Sequence, residues 1–551
     1  MMMPTIESIE QIVDFIKAAL HAAAGEAAAG MPSAFERPKD TEHGDFASNL
    51  ALLLAPVLHE SPRAIAEGIV GRLRLPPEVV DGVEIAGPGF INVTLSPVVL
   101  RRGLMAALSQ GEAFGRLSTG RGLRAQVEFV SANPTGPLTI GHGRQAVLGD
   151  AIARVLDNAG YQVDREYYFN DAGRQIRMLG ESVRAQYLTL LGRPADVPEG
   201  GYHGEYVRGI AEAFRADRGD AEGETDVDVF SDFGKNAAFG GIQRTLERLR
   251  VRFDSYYSEA SLYETGRIAD TLRAMREVGV SYVKDGAEWL AGTSLGLDQD
   301  WVMVRGTGEP TYRLPDIAYH RHKLERGYDL VVDVFGADHQ ATYPVVLAAV
   351  QALGGDTSRF QVLIHQFVTV KRGGQDVRMS KRSGEFLTLD WLLDEVGVDA
   401  VRYFFLLRVR SSHLAFDIDL ALRQSEENPV FYVQYAHART AGILRFAAES
   451  GIGGEEPFDP TVLTQREELA LIREILQFPV VLRQVTESLE PQKITVCLRT
   501  VATAFHQFYQ HHRVIGDDRE LSWARLGLVR ATRLVLARGL SLLGVEAPER
   551  M

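Results

Sequence analysis

Hydrophobic residues recur at steps of three and four along the start of the chain, which is the spacing of an amphipathic helix. These positions are Ile6, Ile9, Val13, Ile16 and Leu20. A second helical stretch is predicted around 46–58, and alternating apolar residues predict strands at 83–85 and 90–93. We therefore expect a small α+β module that ends near residue 115.

Strand and helix patterns then alternate along the chain. Strands are predicted at 125–130, 166–169, 330–335 and 362–370, and a helix at about 141–158. Such alternation is typical of parallel βαβ units in a doubly wound sheet. We expect this α/β domain over 116–397, with an acidic insertion at about 180–290. From Val398 onward only helical periodicity is present, so 398–551 is predicted to be an all-α bundle.

The composition narrows the class of protein. The 551 residues are 45% hydrophobic and 24% charged, which excludes a collagen-like or wholly disordered chain. The single cysteine, Cys497, excludes an internal disulfide and any multi-cysteine metal site. Apolar runs such as 50–57 are far shorter than the roughly 20 residues of a membrane helix. Acidic residues precede the first lysine, Lys17, unlike a signal peptide, so we expect a cytoplasmic protein.

The charge is unevenly distributed. The net charge of −14 argues at first against a nucleic-acid partner, but phosphate binding depends on local charge. Residues 196–232 contain eleven acidic and three basic side chains, whereas 491–551 contain nine basic and five acidic ones. The C-terminal region is therefore compatible with RNA.

Two motifs indicate a nucleotide site. The first follows the strand predicted at 125–130 and contains Pro134, Gly136, Thr139, Gly141, His142 and Gly143. Ligands bind at the carboxyl ends of strands in open α/β sheets, and a helix N-terminus offers free N–H groups to phosphate. The second motif is a basic loop suited to closing over a triphosphate, with Arg378, Met379, Ser380 and Lys381.

The two motifs resemble the signatures of a known family. Residues 139–142 (Thr-Ile-Gly-His) resemble the His-Ile-Gly-His motif of class I aminoacyl-tRNA synthetases, and residues 378–381 (Arg-Met-Ser-Lys) resemble their Lys-Met-Ser-Lys motif. Within this class the chain is similar to the arginyl-tRNA synthetases over nearly its whole length. The supporting stretches are 44–49, 127–137, 202–206, 310–320, 335–339, 428–439 and 543–551.

The resemblance implies three domains with separate tasks. A Rossmann-type catalytic core would lie between an N-terminal module, which contacts the tRNA elbow, and an α-helical anticodon-binding domain. Phe46 and Asn49 are the implied contacts of the first module. The helical domain interleaves aromatic and cationic side chains, which are groups that read single-stranded RNA. The implied tRNA contacts there are Tyr432, Tyr435, His437 and Arg439.

The resemblance also implies an arginine pocket. A guanidinium group is planar and always charged, so it needs a carboxylate and further hydrogen-bond acceptors. Tyr312 and Asp316 map onto the guanidinium site, and their spacing places them on one face of a helix. Glu128, Ser131, Asn133 and Gln340 map onto the α-amino end of the amino acid and its surroundings.

The implied reaction uses ATP with Mg²⁺ as a substrate complex, which needs no dedicated metal site on the protein. The carboxylate of arginine attacks the α-phosphorus of ATP, pyrophosphate leaves, and the aminoacyl group passes to tRNA. The enzyme positions the reactants and stabilises charge. His142, Gly141 and Thr139 would hold the nucleotide, and Lys381 would neutralise the pyrophosphate. The family's usual state is a monomer.

Thr139 departs from the family signature, because it stands where the motif has its first histidine. This keeps open the alternative of a tRNA-binding paralogue that has lost catalysis. A class I synthetase for cysteine is a second alternative, but one cysteine cannot supply its zinc site. A small-molecule nucleotidylyltransferase is a third, and the long helical tail argues against it.

Overall fold

A computed structural model describes residues 9–32, 35–38, 43–193, 195–220, 226–377, 387–452 and 457–551. Three regions follow one another along the chain: a module with an antiparallel sheet, a larger domain around a parallel sheet, and a helical domain. The α/β multidomain architecture expected from the sequence is therefore confirmed. None of the helices in these ranges is long and apolar enough to cross a membrane.

The N-terminal module, as far as the structure describes it, combines four strands and four helices. They are β1 (Phe35–Glu36), β2 (Phe46–Ser48), β3 (Val80–Ala86), β4 (Phe90–Leu95), α1 (Ile9–Ala24), α2 (Leu50–Leu58), α3 (Pro62–Arg72) and α4 (Pro97–Gln110). The strand order is β1-β2-β4-β3, and neighbouring strands are antiparallel. The strands predicted at 83–85 and 90–93 are confirmed. The helix predicted from residue 46 begins only at Leu50, because residues 46–48 pair with β4.

In the middle region, the described residues form eight strands and eight helices. The strands are β5 (Arg124–Glu128), β6 (Gln162–Phe169), β7 (Ser255–Ser258), β8 (Ser281–Lys284), β9 (Ala287–Leu290), β10 (Trp301–Val304), β11 (Leu330–Gly336) and β12 (Phe360–His365). The helices are α5 (Ile140–Asn158), α6 (Arg174–Leu190), α7 (Glu205–Arg218), α8 (Val227–Arg248), α9 (Ala260–Glu264), α10 (Arg267–Glu277), α11 (Arg313–Glu325) and α12 (Tyr343–Ala352).

Five of these strands form the parallel sheet, in the order β12-β11-β5-β6-β7. The chain builds outward from β5 to β6 and β7 and then returns to the other side of β5 with β11 and β12. The strand order therefore reverses at β5, and ligands bind in the crevice outside the carboxyl ends of the strands at such a point. The candidate site residues lie at this edge.

The predicted insertion at about 180–290 is interrupted by a strand of the parallel sheet. Helices α6, α7 and α8 enclose a separate apolar cluster that includes Leu179, Tyr187, Phe214 and Phe230. The chain then returns to the sheet as β7, and only afterwards forms the antiparallel sheet β10-β9-β8. The four residues of β7 are too few to show a strand pattern in the sequence, which explains the error.

The last region is mainly helical. Its elements are β13 (Val368–Arg372), β14 (Gln375–Asp376), α13 (Leu389–Val396), α14 (Val398–Phe405), β15 (Leu414–Asp417), α15 (Ile418–Leu422), α16 (Pro429–Glu449), α17 (Arg466–Ser488), α18 (Gln492–His511) and α19 (Arg519–Leu542). Two predictions need correction. The strand predicted at 362–370 is divided between β12 and β13, which belong to different sheets, and the region after Val398 contains the short strand β15, paired with β13.

Buried ion pairs connect the regions. The guanidinium of Arg402 on α14 is fully buried, pairs with Asp150 on α5, and donates to the carbonyl oxygen of Leu543 at 2.9 Å. In the N-terminal module Arg37 pairs with Glu474 on α17. A buried pair that loses one partner leaves an uncompensated charge, so these contacts hold the three regions in one arrangement.

Candidate active site

The loop after β5 leaves the sheet through two residues in left-handed backbone conformations. Val130 has φ 70° and Ser131 has φ 42°. Such a conformation is costly for a β-branched residue, about 1–3 kcal/mol, and persists only where the surroundings hold it. Here the Ser131 hydroxyl donates to Glu128 Oε1 at 2.8 Å and accepts from the Tyr168 N–H at 3.2 Å. The strain turns the chain across the carboxyl edge of the sheet.

The loop then passes over the cleft, held by side chains of the neighbouring elements. Asn133 accepts a hydrogen bond from the Asn170 N–H at 3.1 Å and donates to Gln175 Oε1 at 2.8 Å. The Tyr206 hydroxyl on α7 donates to the carbonyl oxygen of Thr135 at 3.0 Å. A Cβ on Gly136 would lie 3.2 Å from the Tyr206 ring, so this close packing favours glycine. Pro134 is buried in the same loop.

Thr139 and His142 form the first turn of α5. Thr139 is the N-cap residue, and its N–H donates to His142 Nδ1 at 3.1 Å. An accepting Nδ1 places the proton of the neutral ring on Nε2. Burial lowers the pKa of His142, although the charge of Asp338 acts in the opposite direction. A neutral imidazole therefore stands at the helix N-terminus, where N–H groups are available to an anion.

The two glycines of the first turn have different surroundings. A Cβ on Gly141 would meet only Thr139 Oγ1, at 3.7 Å, so the backbone there is open. A Cβ on Gly143 would lie 2.6 Å from Leu389 and 3.0 Å from Phe405, so this glycine lets α13 and α14 approach α5 closely. One glycine of the motif is thus suited to ligand approach, and the other to packing.

The basic loop with Arg378, Met379, Ser380 and Lys381 lies outside the described residues. The residues on either side of this loop, up to 377 and from 387 onward, are described. The Val377 N–H donates to the carbonyl oxygen of Val370, and the Leu389 N–H donates to that of Leu138, both at 2.8 Å. Thr388 also forms a β-bridge with Thr139. The segment that follows the basic motif therefore rejoins the structure beside the first turn of α5.

The ends of β11 and β12 form the other wall. Gly336 and His365 are in register across these strands. A Cβ on Gly336 would lie 2.5 Å from Asp338 Oδ1 and 3.9 Å from His365 Nε2. Burial lowers the pKa of His365 to about 4. Gln340 is exposed beyond this turn.

An acidic pocket lies at the ends of β6 and β7. Tyr312 caps α11 and Asp316 is one turn further on, with the Asp316 N–H 3.4 Å from the Tyr312 carbonyl oxygen. Burial raises the pKa of Asp316 to about 7, and the nearby carboxylates of Glu259 and Glu128 add to this effect. The spacing argument is confirmed, because both side chains belong to the same helical turn.

Sequence reasoning missed Glu259 and Tyr168. Glu259 follows β7, accepts from the Tyr168 hydroxyl and from Asn170 Nδ2, both at 2.8 Å, and has a pKa raised by burial. The charge of Glu259 contributes to the raised pKa of Asp316, so these two partly buried carboxylates lie near each other. The position of Glu259 after a parallel strand could have identified it, had β7 been recognised.

Glu128 lies beneath this pocket. It is 3% exposed, and its two carboxylate oxygens accept from Ser131 and from Lys323. Lys323 also pairs with Asp333, which accepts from His320 at 3.2 Å. Burial alone would raise the pKa of Asp333, but the charge of Lys323 lowers it to about 2. Glu128 therefore supports the loop and does not present a free carboxylate. Within the described residues, no three His, Cys, Asp or Glu side chains are grouped so as to hold a metal ion.

The helical region contains a second candidate surface, a groove between α16 and α18 of about 870 Å³. Its lining includes Tyr435, Arg439, Phe446, Tyr509, Arg513 and Met551. The Arg439 guanidinium lies 4.7 Å from the Tyr435 ring centroid and 5.0 Å from that of Tyr509. Tyr432 lines an adjoining groove with Tyr435 and Arg439. This alternation of rings and cations can stack unpaired bases.

Two predicted RNA contacts are placed elsewhere. Phe46 is fully buried and stacks on Phe35 with 5.0 Å between the ring centroids, so it belongs to the core of the N-terminal module. His437 is 2% exposed and contacts the Pro548 carbonyl oxygen at 2.9 Å. Helical spacing alone did not distinguish these buried rings from surface ones. Asn49, by contrast, is partly exposed at the start of α2.

Comparisons with known proteins identify the relatives of this chain. Three family models match: the arginyl tRNA synthetase N terminal domain at residues 10–95, the catalytic domain of tRNA synthetases class I (R) at 104–189, and the DALR anticodon binding domain at 433–551. The chain is 49% identical to the arginine–tRNA ligase of Desulfotalea psychrophila over 94% of both chains. It is 48% identical to that of Salinibacter ruber, covering 94% of this chain and 95% of the relative. The arginyl-tRNA synthetase structure of Thermus thermophilus has the same fold, with a TM-score of 0.77, 23% identity, and coverage of 98% of this chain and 100% of that one.

Proposed function

Because the chain belongs to the arginyl-tRNA synthetase family, we propose that it is an arginine–tRNA ligase whose chemistry takes place between the acidic pocket and the N-terminus of α5. The observation that carries this proposal is the pair of carboxylates, Asp316 and Glu259, at the same sheet edge as His142. One end of the cleft suits a cation, and the other suits a phosphate chain.

The acidic pocket receives the guanidinium group of L-arginine. Asp316 and Glu259 accept its N–H groups, and the exposed Tyr312 ring covers it from the end of α11. A planar cation with five donors matches two carboxylates held on different elements, Asp316 on α11 and Glu259 directly after β7. The α-amino end points toward Ser131, Asn133 and Gln340. Glu128 does not contact the substrate; it accepts a hydrogen bond from the Ser131 hydroxyl and so keeps that residue in position.

ATP with Mg²⁺ occupies the other end. The loop with Pro134 and Gly136 and the first turn of α5, with Thr139, Gly141 and His142, hold the adenosine and phosphates, and Gly143 lets this turn pack in place. We assign the triphosphate to the motif Arg378, Met379, Ser380 and Lys381, which lies outside the described residues, and give Lys381 the role of neutralising the departing pyrophosphate. Thr139 serves as the helix cap, a role for which threonine is well suited.

The reaction follows in two steps. A carboxylate oxygen of arginine bonds to the α-phosphorus of ATP as the bond to the β-phosphate bridging oxygen breaks, which releases pyrophosphate. The terminal ribose hydroxyl of tRNA then attacks the carbonyl carbon, and AMP leaves. The chain supplies no covalent nucleophile. It holds the carboxylate and phosphorus in position and stabilises the charge that develops on the phosphates.

The tRNA spans the three regions. We assign the anticodon to the groove of Tyr432, Tyr435 and Arg439, and the elbow to the module of residues 1–115 at Asn49. The catalytic region is 116–397 and the anticodon-binding region 398–551. His437 holds the C-terminal tail against α16 and supports the groove from behind. The proposal further places the protein in the cytoplasm as a monomer.

Charging of bulk tRNA with each of the twenty labelled amino acids, in the presence of ATP and Mg²⁺, tests the function. We expect arginine alone to become acid-precipitable. The variant His142→Ala should lose most of this activity, whereas Arg305→Gln, on an exposed side chain paired with Glu309, should retain it. Charging by no amino acid, with tRNA still bound, would instead support an inactive tRNA-binding paralogue.

A further inference from the structure

An exposed aromatic ring lies at the rim of the cleft. Phe367 is 65% exposed, between β12 and β13. It is two residues beyond His365, which stands next to Gly336 and within electrostatic range of His142. Two residues span at most about 7 Å, so the backbone of Phe367 lies within that distance of His365 at the carboxyl end of β12. Burying this ring against another molecule would be favourable.

The segment that carries Phe367 is tied to a basic loop between α14 and β15. The Gln366 N–H donates to the Arg410 carbonyl oxygen at 2.9 Å, and the Leu414 N–H donates to that of Phe367 at 3.2 Å. These contacts place the loop 408–413 alongside the aromatic ring. We call Phe367 and this loop the rim platform.

Arg144 on α5 fixes the rim platform. Its guanidinium is 1% exposed and donates to the carbonyl oxygens of Gln366 at 2.7 Å, Ser412 at 3.0 Å and Val409 at 3.1 Å. Burial lowers its pKa to about 10. Three carbonyl groups from two segments converge on one buried cation, so both segments are positioned relative to the signature helix.

The rim platform carries positive charge. Arg408 and His413 are exposed, and within the described residues neither has an acidic partner. Arg410 is partly engaged, with its Nη1 3.9 Å from Glu490 and 3.5 Å from the Leu489 carbonyl oxygen. An exposed ring beside an exposed guanidinium and an exposed imidazole offers a single-stranded nucleic acid a surface for base stacking and hydrogen-bond donors for its phosphates.

We propose that the rim platform binds the single-stranded 3′ end of the tRNA, with a base stacked on Phe367 and the backbone phosphates near Arg408 and His413. The inference rests on the proposed function and adds a surface for the second substrate. The accepting ribose must come within bonding distance of the adenylate, and the rim platform lies next to the cleft in which the adenylate forms. The position of the ring therefore matches the last nucleotides before the reacting sugar.

Binding of two RNAs by the full-length protein tests this surface: intact tRNA(Arg), and the same tRNA without its 3′ single-stranded nucleotides. Phe367→Ala lacks one stacking contact and should therefore bind intact tRNA roughly tenfold more weakly than the wild type does. Phe367→Trp should bind normally, because it keeps a stacking ring. Truncated tRNA should bind the wild type and Phe367→Ala equally well. The control is Val283→Ala, which changes another exposed apolar side chain on β8.

A charge variant provides an independent measurement. Arg408→Gln should reduce the slope of log affinity against log salt by about 0.7 for intact tRNA, the value for one phosphate contact on a single strand. Arg305→Gln should leave the slope unchanged. Equal losses for intact and truncated tRNA, or no loss in Phe367→Ala, would overturn the assignment. If the wild type charged arginine normally in that case, the proposed function would stand without the rim platform.

Discussion

Replacing Asp316 by asparagine tests the acidic pocket most directly. The change keeps the shape of the side chain but removes its charge, and one oxygen becomes an amide that donates hydrogen bonds. A guanidinium offers only donors, so the amide opposes it. Truncating a desolvated charge pair costs about 2–5 kcal/mol. We therefore expect the KM for arginine to rise about a hundredfold or more, with little change in the KM for ATP.

The same residue gives the wild type a defined pH dependence. Its pKa is raised from the ordinary 3.8 to about 7, mainly by burial. With that pKa, the ionised fraction falls from about nine-tenths at pH 8 to about one-tenth at pH 6. Arginine stays cationic throughout, so the KM for arginine should rise about tenfold as the pH falls from 8 to 6. In Asp316→Asn this dependence should disappear.

The stability of the protein should respond to pH in the opposite sense to arginine binding: it should be greater at low pH. A carboxyl whose pKa is higher in the folded state leaves the free energy of unfolding unchanged below pH 3.8. Above pH 7 it lowers this free energy by its full amount, so the protein loses stability as the pH rises through this window. The shift of about three units corresponds to about 4 kcal/mol, which we halve to about 2 kcal/mol because solvent reaches part of the side chain. Asp316→Asn should therefore unfold at a higher temperature than the wild type at pH 8.

The assays are steady-state charging with saturating ATP and tRNA between pH 6 and 8, and thermal unfolding of the free protein. Glu325→Gln is the matched control, because this carboxylate lies on the same helix but is exposed and paired with Arg267. Its KM for arginine should match that of the wild type. A wild-type KM that stays flat from pH 6 to 8, or an Asp316→Asn enzyme that binds arginine normally, would refute the assignment of this pocket.

Two further predictions concern the support of the site and the helical groove. Lys323→Met leaves Glu128 and Asp333 buried without their cation and should lower the free energy of unfolding by about 3–5 kcal/mol, measured by urea denaturation; an unchanged midpoint would show that the network contributes nothing. Arg439→Gln removes the cation between Tyr435 and Tyr509 and should raise the KM for tRNA roughly tenfold while leaving that for arginine unchanged. Equal changes in both KM values would contradict a separate RNA-binding role.

The parts of the fold with strong periodicity could be predicted from the sequence. Strand β5, helix α5 and strand β11 show clear patterns, and the resulting sheet edge correctly locates the loop 134–143. The spacing of Tyr312 and Asp316 places them on one turn because a helix repeats every 3.6 residues. These features depend on local pattern, which a single sequence contains.

Features that depend on tertiary contact were not accessible in this way. Glu259 owes its place to β7, whose four residues have no apolar alternation. The break at 366–367 depends on Arg144, a residue more than two hundred positions away. Phe46 and His437 look like surface rings in the sequence, and only the packing of distant elements shows that they are buried. Short strands and long-range polar contacts carry little local signal.

Helix α5 explains why segments so far apart in the sequence form one site. Its first turn holds His142, its second holds Arg144 with three carbonyl groups of the rim platform, and its third holds Asp150. Asp150 pairs with Arg402, which donates to the Leu543 carbonyl oxygen beyond the last helix. Both arginines are buried, so breaking either set of contacts would leave a charge without water or partner. One stiff helix therefore fixes the first turn of α5 relative to the rim platform and to the helical region that holds the groove between α16 and α18.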